Sequence, residues 1–157
     1  MRRFLVALHT MLDEDMVQHF SQKMASSGYN VTYVEEENVR AEELEKMLEQ
    51  FPDCIILTSG PSVSAALIAS VRSRPSGAII AINPMWKEDL KPLLSSVESS
   101  VIIFTDGPDL SSIRMQAMKY HDRIAGSRIH YLKSDAMKTL LGHPERMIKV
   151  LEDALDA

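Results

Sequence analysis

Short apolar runs alternate with amphipathic stretches along the whole chain, and this alternation limits the folds open to it. The apolar runs are Phe4–Leu8, Val31–Val34, Cys54–Thr58, Ala78–Ile82, Val101–Thr105 and Ile129–Leu132. Several are apolar at successive positions, which is typical of parallel strands buried on both faces. The helical patterns between them are Asp13–Ser27, Ala41–Gln50, Ser64–Arg72, Lys87–Leu94, Leu110–Ala125 and Pro144–Leu155. The alternation predicts an α/β three-layer sandwich around a mostly parallel sheet of about six strands.

The size and composition of the chain are those of one globular domain. Its 157 residues suit a single domain over residues 1–157. A net charge of −5 is the opposite of the basic surface that nucleic-acid binders carry, so we expect no nucleic-acid partner. Because no apolar run approaches membrane-spanning length and the N-terminus has the pattern of a strand, we expect no membrane partner and a cytoplasmic location. The single cysteine, Cys54, opens an apolar run and is expected to be a buried, unreactive thiol.

The segment Gly60-Pro61-Ser62-Val63-Ser64 turns sharply from the third predicted strand into a helix. In parallel sheets, functional residues gather at the carboxyl ends of strands, beside the point where the strand order reverses. With the common order 2-1-3-4-5, that point lies between strands one and three. The loop after strand one, His9-Thr10-Met11-Leu12, would then lie beside Ser62.

Three side chains that could form a catalytic triad each follow a predicted strand. Ser62 follows the third strand, Asp109 the fifth and His143 the sixth. A serine hydroxyl is a weak nucleophile at neutral pH and needs a histidine to accept its proton. The histidine in turn needs a carboxylate to fix its tautomer and to stabilise the imidazolium. The three positions therefore make a candidate site for nucleophilic catalysis.

On these residues the chain resembles the α/β-hydrolase superfamily over nearly its whole length. "GPSVS" is similar to the family's nucleophile elbow, in which the serine takes a strained backbone conformation between small residues two places to either side. "LVALHTM" resembles the strand that leads into the oxyanion loop. "VIIFTDGPDL" resembles the strand before the acid, and "LLGHPERMIKVLEDAL" resembles the closing histidine loop and last helix.

The resemblance implies a serine hydrolase that cleaves small-molecule carboxylic esters or thioesters. Ser62 would attack the acyl carbon to form an acyl-enzyme, His143 would carry the proton to the leaving group, and Asp109 would orient His143. The backbone N–H groups of Val63 and Met11 would hold the oxyanion, and water would release the acyl group. No metal or organic cofactor is implied, and a protein partner is possible.

The sequence also departs from the family pattern. Thr10 stands where the oxyanion loop has glycine, although its N–H is an alternative to that of Met11, and Ser64 stands where the elbow usually has glycine. We also expect the family's first two antiparallel strands to be absent, which would leave Tyr29–Val34 as an edge strand continued by a run of glutamates. The segment 83–100, where many members insert a cap domain, holds only a short helix. A catalytically inactive α/β-hydrolase-like interaction protein is therefore an alternative.

Each candidate residue also has a purely structural interpretation. Ser62 and Asp109 could cap the helices that follow them, Asp106 could replace Asp109 in either role, and His143 could belong to the N-terminal region of the last helix. A phosphate-binding flavodoxin-like module is a further alternative. It would use Ser59, Ser62 and the helix N-terminus as an anion site and would not need His143.

Overall fold

The computed structural model describes residues 2–10 and 12–156 of the chain. The strands are β1 (Arg2–Ala7), β2 (Tyr29–Tyr33), β3 (Ile55–Ser59), β4 (Ala78–Ile82), β5 (Ser100–Thr105) and β6 (Arg128–Tyr131). The helices are α1 (Glu14–Ser26), α2 (Ala41–Gln50), α3 (Val63–Arg72), α4 (Ser112–Arg123), α5 (Ala136–Gly142) and α6 (Glu145–Asp156). The strands form one sheet in the order β2-β1-β3-β4-β5-β6, and every pair is parallel. The predicted three-layer α/β sandwich is confirmed.

Helices cover both faces of the sheet, and each face has its own apolar cluster. On one face, α2, α3 and α4 contribute Leu44, Leu48, Ala66, Leu67, Ala117 and Tyr120. On the other face, α1, α5 and α6 contribute Phe20, Met24, Leu140, Met147 and Leu151. Every residue of β3 and of β4 is buried. Burial on both faces explains why these strands are apolar at successive positions.

Two helical segments differ from the sequence prediction. The expected helix Lys87–Leu94 is replaced by two short 3₁₀ turns, Glu88–Leu90 and Leu94–Ser96. Pro92 lies between them and cannot donate a backbone hydrogen bond, so it interrupts a continuous helix. The sequence prediction missed α5, a helix of only seven residues that begins after Asp135, whose side chain accepts from Lys138 N. Its length is too short for periodicity to reveal.

The strand β2 lies at one edge of the sheet, as predicted, and β6 lies at the other. The glutamates after β2 do not continue it, which corrects the expectation. The strand ends at Tyr33, and Glu36–Asn38 forms a 3₁₀ turn in which the Asn38 N–H donates to Glu35 O at 2.8 Å. The acidic run is therefore a structured turn beyond the strand.

The Cys54 thiol is buried and free, and burial raises its pKa to about 12. This agrees with the expected unreactive thiol. None of the helices in the described ranges is both long enough and apolar enough to cross a membrane.

Candidate functional site

The loops after β1 and β3 meet at the carboxyl edge of the sheet, where the sequence predicted a site. β1 pairs with β2 on one side and with β3 on the other. The strand order therefore reverses at β1, which is where such sheets place their binding sites. The contact between the loops is formed by His9 and Gly60. A β-carbon placed on Gly60 would lie 3.0 Å from Cε1 of His9.

The backbone of the turn after β3 differs from the one expected for a nucleophile at Ser62. Gly60, the first residue after the strand, has φ +51° and lies in the left-handed region. Ser62 has φ −72° and ψ −20°, which are ordinary right-handed helical values. The expectation that Ser62 takes the strained conformation is therefore wrong, and the left-handed residue of the turn is Gly60.

Gly60, like Ser62, stands at the centre of an elbow-like spacing of small residues. A nucleophile elbow places its reactive residue at the sharp turn from strand to helix. In Thr58-Ser59-Gly60-Pro61-Ser62, small residues stand two places to either side of Gly60, and both Thr58 and Ser62 are buried. The position that a nucleophile occupies in such a turn is therefore held by a residue without a side chain.

Ser62 itself has no activating partner among the described residues. It is 5% exposed, its Oγ makes no hydrogen bond, and it does not cap α3. The hydroxyls of Thr58 and Ser59 are likewise buried without a partner. The N–H of Val63, the expected oxyanion donor, is already bonded to Gly60 O. The second expected donor, Met11, lies outside the described residues, and the neighbouring Thr10 is exposed.

The same turn offers little to a phosphate group. Pro61 has no N–H, and the N–H of Val63 is already used within the turn. An anion site at a helix N-terminus needs free backbone donors that point at the ligand. The two side chains expected to take part, Ser59 and Ser62, are both buried.

Asp109 and His143 both lie at the carboxyl end of the sheet but make other contacts. The Asp109 side chain is 87% exposed and forms an ion pair with Arg114 of α4. The Arg114 guanidinium in turn lies over the ring of Tyr131 at 3.9 Å. His143 follows α5, is exposed, and its ring makes no hydrogen bond within the described part of the chain. No hydrogen bond among the described residues joins these two side chains to each other or to Ser62.

Asp106, the other candidate acid, connects three elements. Its Oδ2 accepts from Ala136 N at 2.7 Å and from Asn83 Nδ2 at 3.1 Å. Its own backbone N–H donates to Asn83 Oδ1 at 3.1 Å. Asn83 follows β4 with φ +45°, a region that asparagine enters more readily than most residues. Asp106 thus fixes the end of β5 to the end of β4 and to the first turn of α5.

Sequence patterns do not reveal Asn83 as a partner of Asp106, because the two residues are 23 positions apart. The one available signal was an asparagine directly after a buried strand.

The residues around Trp86 have a structural role, since its ring packs on Tyr120 with centroids 5.0 Å apart and its indole N–H donates to Glu88. The described residues contain no group of histidine, cysteine or acidic side chains that could hold a metal ion.

Comparison with known proteins identifies the fold. No family model matches the sequence, and no curated protein matches it. A metagenomic α/β-hydrolase enzyme from lagoon sediments of Mar Chica, Morocco, is 11% identical, with a TM-score of 0.76 over 97% of this chain and 89% of that one. The carboxylesterase CesB from Bacillus subtilis is 9% identical, with a TM-score of 0.71 over 98% and 83%.

A thermophilic esterase from Thermogutta terrifontis gives a similar result, with 8% identity and a TM-score of 0.71 over 99% of this chain and 90% of that one. At such identities, the likeness shows the fold and not the activity. The six parallel strands in the order β2-β1-β3-β4-β5-β6, with helices on both faces, agree with these matches. The chain has the α/β-hydrolase fold.

Proposed function

We propose that this protein is a non-catalytic member of its fold class that acts by binding rather than by serine chemistry. One observation carries the proposal. The left-handed residue at the turn from β3 to α3 is Gly60, and the ring of His9 occupies the space beside it. A nucleophile elbow needs its reactive side chain at that turn.

The surroundings of Ser62 support the same conclusion. Acyl transfer needs a base within hydrogen-bond reach of the hydroxyl and N–H donors free to receive an oxyanion. The Ser62 Oγ has no hydrogen-bond partner among the described residues, and the Val63 N–H is engaged by Gly60 O. Because Ser62 is buried, a substrate carbonyl would also have to displace surrounding atoms to reach it.

Ester or thioester hydrolysis through Ser62, His143 and Asp109 stays a prediction. The esterases among the structural neighbours give it fold-level support only. It would require the His143 ring to move from its exposed position to the Ser62 hydroxyl. It would also require Asp109 to leave Arg114 and turn toward His143.

An esterase assay with matched serine variants separates the two hypotheses. We expect p-nitrophenyl acetate and p-nitrophenyl decanoate to be hydrolysed at the same slow rate by the wild type, by Ser62→Ala and by the control Ser64→Ala. Ser64 is a suitable control because it lies two residues away and its Oγ donates to Pro61 O at 3.0 Å. Circular dichroism would check that each variant is folded.

A loss of turnover in Ser62→Ala, with turnover retained in Ser64→Ala, would overturn the proposal in favour of a serine hydrolase. In that case we expect the short ester to be preferred, because segment 83–100 holds only short turns and would enclose little of a long acyl chain. Each CH₂ of an acyl chain that is buried contributes about 0.8 kcal/mol, and an open site forgoes this gain.

A further inference from the structure

We propose that a cavity of about 540 Å³ beside the edge strand β2 binds a small apolar molecule that carries a positive charge. The cavity lies between the carboxyl ends of β1 and β2 and the start of α1. Neither Gly60 nor Ser62 lines it, so the proposal does not depend on whether Ser62 reacts. Its volume falls in the range of small-molecule sites, roughly 300–1,000 Å³.

The inner part of the cavity is apolar. Val6 and Leu8 come from β1 and the residue after it, Val34 follows β2, and all three are buried. Leu12, just before α1, and Val17, in its first turns, line the cavity wall on the side of that helix and are only partly buried. An alkyl or aryl group seated here would bury its own surface and that of the two half-buried side chains, which favours binding.

Tyr33 connects the two walls and gives the cavity a fixed shape. Its hydroxyl donates to Val17 O at 3.0 Å and makes a second hydrogen bond with Ser21 Oγ at 2.9 Å. These bonds join the last residue of β2 to α1. A cavity whose walls are already joined loses less conformational freedom when a ligand enters.

The outer rim of the cavity is strongly acidic. Glu35, Glu36 and Glu37 line it, all three are exposed, and none forms an ion pair within the described part of the chain. Hydrogen bonds from Asn38 N to Glu35 O and from Val39 N to Glu36 O hold this turn in place. Three neighbouring carboxylates attract a cation and repel an anion. An apolar floor below an acidic rim therefore fits an alkyl- or arylammonium ion.

Four probes test the two parts of the proposal separately. The full chain would be titrated at neutral pH and low salt with n-octylammonium, 1-octanol, octanoate and tetralysine, and binding would be followed in ¹H–¹⁵N correlation spectra. We expect saturable binding of n-octylammonium with shifts at Val34 and Glu36, weaker binding of 1-octanol, and none of octanoate or tetralysine.

Variants of the rim test the charge preference. Glu36→Gln should weaken n-octylammonium binding about two- to five-fold, as expected for one exposed ion pair. Substitution of all three rim glutamates by glutamine should remove the preference over 1-octanol. Glu49→Gln, an exposed glutamate at the far end of α2, makes the same change in net charge and should leave binding unchanged.

Three results would overturn the proposal. Octanoate binding as tightly as n-octylammonium would show that the rim does not select charge. Tetralysine binding as tightly would show that the apolar floor contributes nothing and that the rim attracts basic peptides instead. An absence of saturable n-octylammonium binding up to the solubility limit of the probe would rule out the site itself.

Discussion

The imidazole ring of His9 packs against Gly60 on the side where any other residue would carry its β-carbon. A β-carbon there would be 3.0 Å from Cε1 of His9, and the φ of +51° is left-handed as well. Sterics and backbone conformation thus both favour glycine at this position. The His9 ring, which comes from the loop after β1, thus covers the side of Gly60 from which a side chain would project.

Gly60→Ala should therefore destabilise the protein. A left-handed conformation costs a non-glycine residue about 1–2 kcal/mol, and the added β-carbon would also require the exposed His9 ring to shift slightly. Gly142→Ala is the matched control, since Gly142 ends α5 with open space around it and without a positive φ. Urea unfolding should show a loss for Gly60→Ala and none for Gly142→Ala. Equal stability of the two variants would contradict the geometry of the turn.

Ser62→Ala should leave the free energy of unfolding unchanged or raise it slightly. The Ser62 hydroxyl is buried without a hydrogen bond and does not cap α3, so its removal deletes no interaction. Ser111→Ala provides the contrast, because Ser111 Oγ accepts from Arg114 N at 3.3 Å and caps α4. That variant should lose about 1 kcal/mol. A comparable loss in Ser62→Ala would mean that Ser62 is a cap after all.

The two candidate aspartates should differ in their contribution to stability. Asp106→Ala leaves Ala136 N and Asn83 Nδ2 without their acceptor, which should cost about 1–3 kcal/mol in chemical unfolding. Asp109→Ala changes an exposed side chain and should cost less than about 0.5 kcal/mol. The opposite ranking would place the structural role on Asp109.

The stability of the fold should fall at alkaline pH through Cys54. Burial raises the pKa of its thiol to about 12, whereas an unfolded cysteine ionises near about pH 8.5. The contribution of Cys54 to the free energy of unfolding is therefore fully present below about pH 8.5. It is lost as the pH rises toward 12, with a slope of at most about 1.4 kcal/mol per pH unit.

Urea unfolding between about pH 8 and pH 10 would measure this slope in the wild type and in Cys54→Ala. The variant should show a shallower fall. Some dependence should remain, because burial also raises the pKa of Tyr120 to about 12. Identical slopes would mean that the thiol is accessible to water in the folded protein.

The architecture could be predicted from the sequence because its signals are local and repeated. Runs such as Ala78–Ile82 are apolar at successive positions, and in the fold they are buried on both faces. The meeting of the loops after β1 and β3 followed from strand order alone. The helix predicted at Lys87–Leu94 does not form, and the reason is also local, since Pro92 divides the segment into two turns.

The details of the site could not be predicted in the same way, because they depend on which residue of a short turn takes the left-handed conformation. "GPSVS" and the overlapping Thr58-Ser59-Gly60-Pro61-Ser62 both have the spacing of small residues that an elbow needs. The two segments can be told apart only by where β3 ends. It ends at Ser59, which places Gly60 at the turn, and strand ends are the least certain part of a sequence prediction. The contact of His9 with Gly60 joins residues about fifty positions apart, which periodicity does not encode.

The central claim, that the turn carries no nucleophile, is tested most directly by incubating the folded wild-type protein with a fluorophosphonate and measuring its intact mass. A known serine esterase in the same buffer would show that the probe is active. Because Gly60 stands at the turn and the Ser62 Oγ has no base beside it, we predict that the mass stays unchanged. A single adduct on Ser62, lost in both Ser62→Ala and His143→Ala, would contradict the account and establish the serine hydrolase.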